Sequence, residues 1–263
     1  PEARSFNSNI TNWVNENTLS YKLKEDAHSL DLLAGFSVQK EHMFRSGIYA
    51  NSFPNDNVQT INAGTVTSAF TEIQEWSLLS YFARAMYDFK GRYLLNLSAR
   101  RDGSSRFGKN TKWGWFPAAS IGWRVSKENF FPESNFVSDL KFRASYGVTG
   151  NFSIPNYGAI ALLEPANYIF HDEVVNGLAP STSPNSDLSW EKTKMIDVGM
   201  DLSLLNDRLS FIADYYVSDT EDLLINRPVP GSSGFATSLQ NIGKVRNKGF
   251  ELLISYEYRL GVE

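Results

Sequence analysis

Two aspartates four residues apart, Asp197 and Asp201, with a third, Asp214, a little downstream, are the side chains in this chain that most invite a chemical role. Paired carboxylates can divide the work of general acid and general base. On an extended strand, however, the first two would stand about 13 Å apart on one face, at about 3.3 Å per residue, which exceeds the reach of a glycosidase pair. No nucleophile–base constellation accompanies them, so catalysis is set aside. The same face is expected to carry Arg84, Arg100, Arg124, Lys141, Arg143 and Glu251. Mixed charges of this kind could orient a polar solute or hold another domain by ion pairs, but any water-facing wall needs such groups.

The run DGSSRFG at 102–108 joins Asp102, two serines and Arg106, a set able to hold a polar ligand. The favoured reading is structural: Asp, Gly and Ser suit a tight turn, and Arg106 can bind loop carbonyls, fixing the loop that follows a strand. His28, His42 and His171 fall in different turns or loops without metal-ligand spacing, and there is no cysteine, so no metal site and no cofactor is expected. Phe44, Tyr49, Phe53, Tyr157, Tyr168 and Phe170 read as loop aromatics that pack loops together, with stacking on sugars as the alternative. Three Asn-x-Ser/Thr sequons, at Asn9, Asn96 and Asn151, read as incidental.

The elements that would position these groups alternate apolar and polar residues from Tyr21 to Leu260. In the last of them Phe250, Leu252, Ile254, Tyr256, Tyr258 and Leu260 share one face, and Glu251, Ser255, Glu257 and Arg259 the other. Similar alternation marks strands at 17–24, 30–38, 79–89, 93–100, 113–126, 139–150, 195–204 and 209–217, diluted at Phe116 and Ala118. That makes about nine. Residues 74–89 also place Leu78, Leu79, Phe82, Ala83 and Met86 at helical spacing, but a tight turn at Lys90 and Gly91 and the strand beyond it favour a hairpin. Short hairpins at 25–28, 90–91 and 205–208 lie at one end. Long loops at 42–75, 102–112, 151–189 and 227–247 lie at the other, and the 127–138 connection fits this scheme least well. The fold class expected is all-β, an antiparallel meander.

A chain of 263 residues with net charge -4 and pI near 5.5 argues against a basic surface for nucleic acid, although lysine and arginine are spread well enough to leave local patches. No stretch approaches the roughly 18 apolar residues of a membrane-crossing helix, yet strands cross with about 9 to 11 alternating residues, so a mean hydropathy of -0.31 is compatible with membrane life. Long strands with bulky apolar faces and aromatic ends favour lipid over a second sheet as the partner of the apolar face. In hydrocarbon a barrel must close, and about nine strands with two open edges do not. Short turns on one side and long loops on the other give an orientation, with the loops outside the cell.

Five fragments then carry a resemblance: SLLSYFARAMYDFKGRYLLNLSARRDGSSRFG at 77–108, WGWFPAASIGWRVSKENF at 113–130, LKFRASYGVTGN at 140–151, LSWEKT at 188–193 and NIGKVRNKGFEL at 241–252. In order and spacing they resemble the barrel of SusC/RagA-like TonB-dependent outer-membrane transporters, and residues 1–41, with NENTLSY and LAGFSVQK, look similar. GNFSIPNYG departs from the family pattern at Pro155. The resemblance implies a barrel of roughly 22 strands around a plug, of which residues 1–263 would be one partial domain lacking the plug and the remaining strands. It further implies active import of oligosaccharides or peptides across the outer membrane of a Gram-negative cell, with no enzymatic site. The partners implied are a SusD-like surface lipoprotein, TonB acting through the absent N-terminal region, and outer-membrane lipid. The nine charged residues named above would face the lumen. A soluble glycan-binding or adhesion module built as a sandwich or solenoid, and a small passive porin, are the alternatives.

Overall fold

The computed structural model describes residues 1–55, 57, 60–132 and 136–258. In chain order its strands are β1 (Ala3–Glu25), β2 (His28–Asn51), β3 (Thr65–Phe89), β4 (Tyr93–Ser104), β5 (Trp113–Arg124), β6 (Val137–Asn151), β7 (Leu163–Pro165), β8 (Tyr168–Phe170), β9 (Glu173–Val175), β10 (Leu178–Pro180), β11 (Glu191–Leu204), β12 (Leu209–Glu221), β13 (Leu224–Pro228), β14 (Thr237–Asn241) and β15 (Lys244–Tyr256). Nine of them form one antiparallel sheet in the order β1-β2-β3-β4-β5-β6-β11-β12-β15, and the six others pair within the long loops. The meander expected from the alternation is present, and 74–89 is strand throughout.

The expected loop at 42–75 is corrected by the structure. β2 continues to Asn51 and β3 begins at Thr65, leaving only 52–64 as connection. β1 likewise starts at Ala3, and β15 at Lys244, inside the stretch 227–247 expected to be loop. Phe44 and Tyr49, read as loop aromatics, are therefore strand residues. Arg259 and Leu260 lie outside the described residues.

Strand register divides the sheet into two faces. Leu23, Leu30, Tyr87, Leu95, Ile121, Ala144, Val198, Tyr215 and Phe250 stand side by side across all nine strands. No strand covers this row among the described residues: Phe250 is 68% exposed, and Leu19, higher on the same face, 78%. Aromatic rows bracket the apolar zone. Phe89, Tyr93, Trp123 and Phe142 lie near the short turns, and Phe36, Tyr81 and Trp115 lie toward the long loops. Eight residues separate Phe89 from Tyr81, about 26 Å along a strand at about 3.3 Å per residue, the height of the apolar band of a membrane barrel. At the turn end, hydrogen bonds from the Tyr93 hydroxyl and the Trp123 indole hold the Glu128 carboxyl below the usual carboxylate range.

Candidate functional site

All nine charged residues singled out in the sequence lie on the face opposite the apolar rows, because strand register gives them one parity. Five are drawn into contact on β6, β11 and β12. The Arg143 guanidinium donates from Nε to Asp201 Oδ1 at 3.0 Å, from Nη1 to Asp197 at 3.5 Å and from Nη2 to Asp214 Oδ2 at 2.7 Å, and Lys141 Nζ donates to Asp201 Oδ2 at 2.8 Å. One arginine thus sits among three carboxylates, and the carboxylates that invited an acid–base reading are each tied to a cation. Gly199 makes the cluster possible: a Cβ there would stand 2.2 Å from Asp214 Oδ1 and 2.8 Å from Arg143 Cζ.

The remaining four are separate. Arg124 pairs with Asp139 at 3.3 Å. Arg100 donates to both oxygens of Asp102, at 2.7 and 2.9 Å, and to Ser80 Oγ at 2.9 Å, with its guanidinium over the Phe82 ring. Glu251 stands opposite Asp214 on the edge strand β15, and Arg84 lies between Leu33 and Ser98. These last two belong to no ion pair among the described residues.

Above this face the loops meet in a small core of Trp76, Leu78, Phe107, Phe116, Ile154, Ala159, Leu188 and Trp190. Its centre is dry, with Leu188 at 0% and Trp190 at 2% exposure. The DGSSRFG and LSWEKT runs are locked together here: Gly108 N–H donates to the Leu188 carbonyl at 3.2 Å, Thr111 Oγ1 to the same carbonyl at 2.6 Å, and Trp190 Nε1 to the Lys112 carbonyl at 2.9 Å. Gly108 has no room for a side chain, since a Cβ would lie 1.8 Å from the Ser186 carbonyl oxygen.

Arg106 takes the structural role read from sequence. It donates to Asn156 Oδ1 at 2.8 Å and to the Phe152 carbonyl at 3.3 Å, and stacks over Trp76 with Cζ 4.7 Å from the ring centre. Burial pushes its pKa below the usual arginine value. Pro155 opens a tight turn closed by Gly158 N–H onto its carbonyl, and the neighbouring Tyr157 hydroxyl accepts from the Glu75 N–H at 2.9 Å. The NIGKVRNKGFEL run joins through Asn241, whose amide exchanges two 2.8 Å bonds with the Ser189 backbone and ties down the β13–β14 hairpin. Sequence reading missed this convergence. Its signal was the pairing of buried-type Leu188 and Trp190 with two turn motifs far away in the chain.

The histidines do not meet. His28 contacts the Tyr87 hydroxyl, His42 pairs with Glu75 at 3.0 Å, and His171 lies in the β8–β9 turn. No group of three potential metal ligands occurs among the described residues.

A single sheet, apolar and bracketed by aromatic rows on one side, ion-paired on the other, with short turns at one end and packed loops at the other, is the wall of a membrane-spanning β-barrel. The chain belongs to the TonB dependent receptor-like, beta-barrel family, whose model matches residues 2–263. It is 44% identical over 245 residues to TonB-dependent receptor P39 of Formosa agariphila, covering 92% of this chain and 23% of that protein. It is 32% identical over 268 residues to TonB-dependent receptor SusC of Bacteroides thetaiotaomicron, covering 95% and 26%. Among solved structures, the RagAB peptide transporter superposes with a TM-score of 0.88 at 33% identity, over 98% of this chain and 29% of that one. The chain thus spans about a quarter of the length of the curated relatives it matches. Its home is the outer membrane.

Proposed function

We propose that this chain is a section of the wall of a TonB-energised importer that takes up oligosaccharides or peptides. In this reading residues 1–263 are part of one barrel domain, while the plug and the remaining strands lie elsewhere in the same protein. The face bearing Arg84, Arg100, Arg124, Lys141, Arg143, Asp197, Asp201, Asp214 and Glu251 lines the lumen around the plug. The loops at 52–64 and 151–190 form an outer vestibule beneath a SusD-like lipoprotein. The wall carries no enzymatic site; its charges orient polar cargo and the plug.

The observation that carries the reading is the agreement of 98% of the chain, at 33% identity, with a section of the RagAB peptide transporter. Supporting it, the ion pairs on β6, β11 and β12 are partly exposed, as water-facing groups on a lumen wall would be. Uptake of labelled oligosaccharides and peptides by cells carrying the full-length gene tests it. Loss of uptake on deleting either that gene or tonB is expected, whereas uptake that survives the tonB deletion would make the protein a passive pore.

A further inference from the structure

On the lipid side, the top of the wall changes character from one strand group to the next. On β3 and β5 the apolar zone ends in aromatic residues, Tyr81, Trp113 and Trp115, and between them Arg101 of β4 lies over both tryptophan rings at 4.7 and 5.6 Å. On β11, β12 and β15 it ends in charge. Register places Lys192, Glu221 and Lys244 in one row, Lys194, Asp219 and Arg246 in the row below, and Lys248 in the row below that, beside Ile196 and Val217. Five cations stand with two carboxylates, leaving a net charge of +3 on a patch bounded below by Val198, Tyr215 and Phe250.

The two carboxylates organise the patch without neutralising it. Arg246 binds both oxygens of Asp219, at 2.6 and 2.7 Å. Lys244 donates to Glu221 at 2.8 Å and stands 3.5 Å from Asp219, and Lys194 pairs with Glu221. Three cationic side chains are thereby held in place, so less freedom is lost when they meet an anion. Lys192 and Lys248 bracket them and make no ion pair among the described residues. Lys248 is the informative one. Its backbone sits in an apolar row, where an ammonium is costly unless its stem runs along the apolar surface and its head reaches the polar layer.

We infer that this patch is a binding site for the phosphate groups of an anionic lipid of the outer leaflet, its acyl chains lying along the apolar rows of β11, β12 and β15. The orientation fixed by the long loops puts the patch at the outer leaflet. Clustered lysine and arginine at a membrane interface recognise phosphorylated headgroups, each cation adding to the attraction. The inference rests on the wall reading alone and is indifferent to what the importer carries.

The test uses the full-length protein with Lys192→Gln and Lys248→Gln combined, since neither lysine is engaged in an ion pair that the fold uses. Purified in mild detergent, the variant is expected to retain at least about threefold less phosphate-bearing glycolipid than the wild type, by phosphorus assay and native mass spectrometry. A second variant, Asp219→Asn with Glu221→Gln, removes both negative charges and is expected to retain more. Nanodiscs made with the dephosphorylated glycolipid should give no difference between wild type and the lysine variant. Equal retention by wild type and the lysine variant overturns the site. So does binding of inorganic phosphate to the lipid-free protein as tight as that of the glycolipid, which would make it a soluble-anion site. Uptake measured on the same variants separates the two proposals: lipid loss with intact import leaves the transporter reading untouched, and import loss with intact lipid retention leaves this one untouched.

Discussion

The tall strands β1–β3 and the shorter strands β4, β5, β6, β11, β12 and β15 share one hydrogen-bonded ladder but are held in different ways. β1, β2 and β3 run for 23, 24 and 25 residues, whereas about 9 to 11 suffice to cross the membrane, so over half of each stands beyond the apolar band. There most side chains meet water, and only Trp76 and Leu78 at the foot of the tall part of β3 reach the core of the loops among the described residues. Exposed pairs such as His42–Glu75, Lys40–Glu75 and Arg45–Glu72, and the Phe6, Tyr49 and Phe70 rings, decorate the ladder without burying it. The strands from β4 onward stop near the band and hand over to loops that fold together around Leu188 and Trp190. Height in this wall therefore comes from backbone pairing on one side and from a packed core on the other.

The strongest way to break that contrast is to empty the core. Trp190→Ala removes a ring that Phe107, Phe116 and Phe152 touch at centroid distances of 4.9, 5.1 and 5.7 Å. A loss of about 3–5 kcal/mol is expected in urea unfolding of the full-length protein. Trp13→Ala, on the tall part of β1, should shift the same midpoint by about 0.5 kcal/mol or less. Comparable losses at the two tryptophans would mean the tall wall has a hidden core. Within the band the contrast is between faces: Val198→Arg, in the midst of the lipid row, is expected to cost about 2–4 kcal/mol, and Met195→Arg, on the ion-paired face of the same strand, close to nothing. Reversal of that order would exchange lipid and lumen sides.

The same contrast decides what the sequence revealed. Where lipid meets one face and water the other, alternation is sharp, and the strands through Tyr87, Leu95, Ile121, Val198, Tyr215 and Phe250 were legible with the correct parity; so were the short turns. Beyond the band that contrast disappears. Asn7, Asn9, Asn12, Asn15 and Asn17 blur the alternation in β1, and the 42–51 and 65–75 stretches, which mix polar and apolar residues on both faces, read as loop, although all these backbones continue the ladder. The structural role of Arg106 could be inferred from its local chemistry. The union of DGSSRFG, LSWEKT and NIGKVRNKGFEL could not, because each supplies only half of a contact whose other half lies tens of residues away. On the ion-paired face, parity was readable but partner choice was not: Asp197 and Asp201 looked like a pair with each other, and Arg143 from a neighbouring strand joins them.

Smaller effects sharpen the comparison. Gly199→Ala forces Arg143 and Asp214 apart, and the hydrogen bond between charged groups that it disturbs puts the expected loss at about 2 kcal/mol, again by urea midpoint. The double variant with Asp214→Ala should lose little more than Gly199→Ala alone, because the added methyl and the lost carboxylate disrupt the same contact. Full additivity would place the strain elsewhere. At the bottom of the scale is Glu75→Gln on the tall part of β3, which removes the negative charge shared by Lys40 and His42. Side chains this exposed exchange protein partners for water at little net change, and salt screens what attraction remains. No midpoint shift beyond experimental error is expected at about 0.15 M salt. A clear shift would show that the tall wall depends on its surface charges, and the division between a wall held by its ladder and a wall held by its core would then fail at its weakest contact.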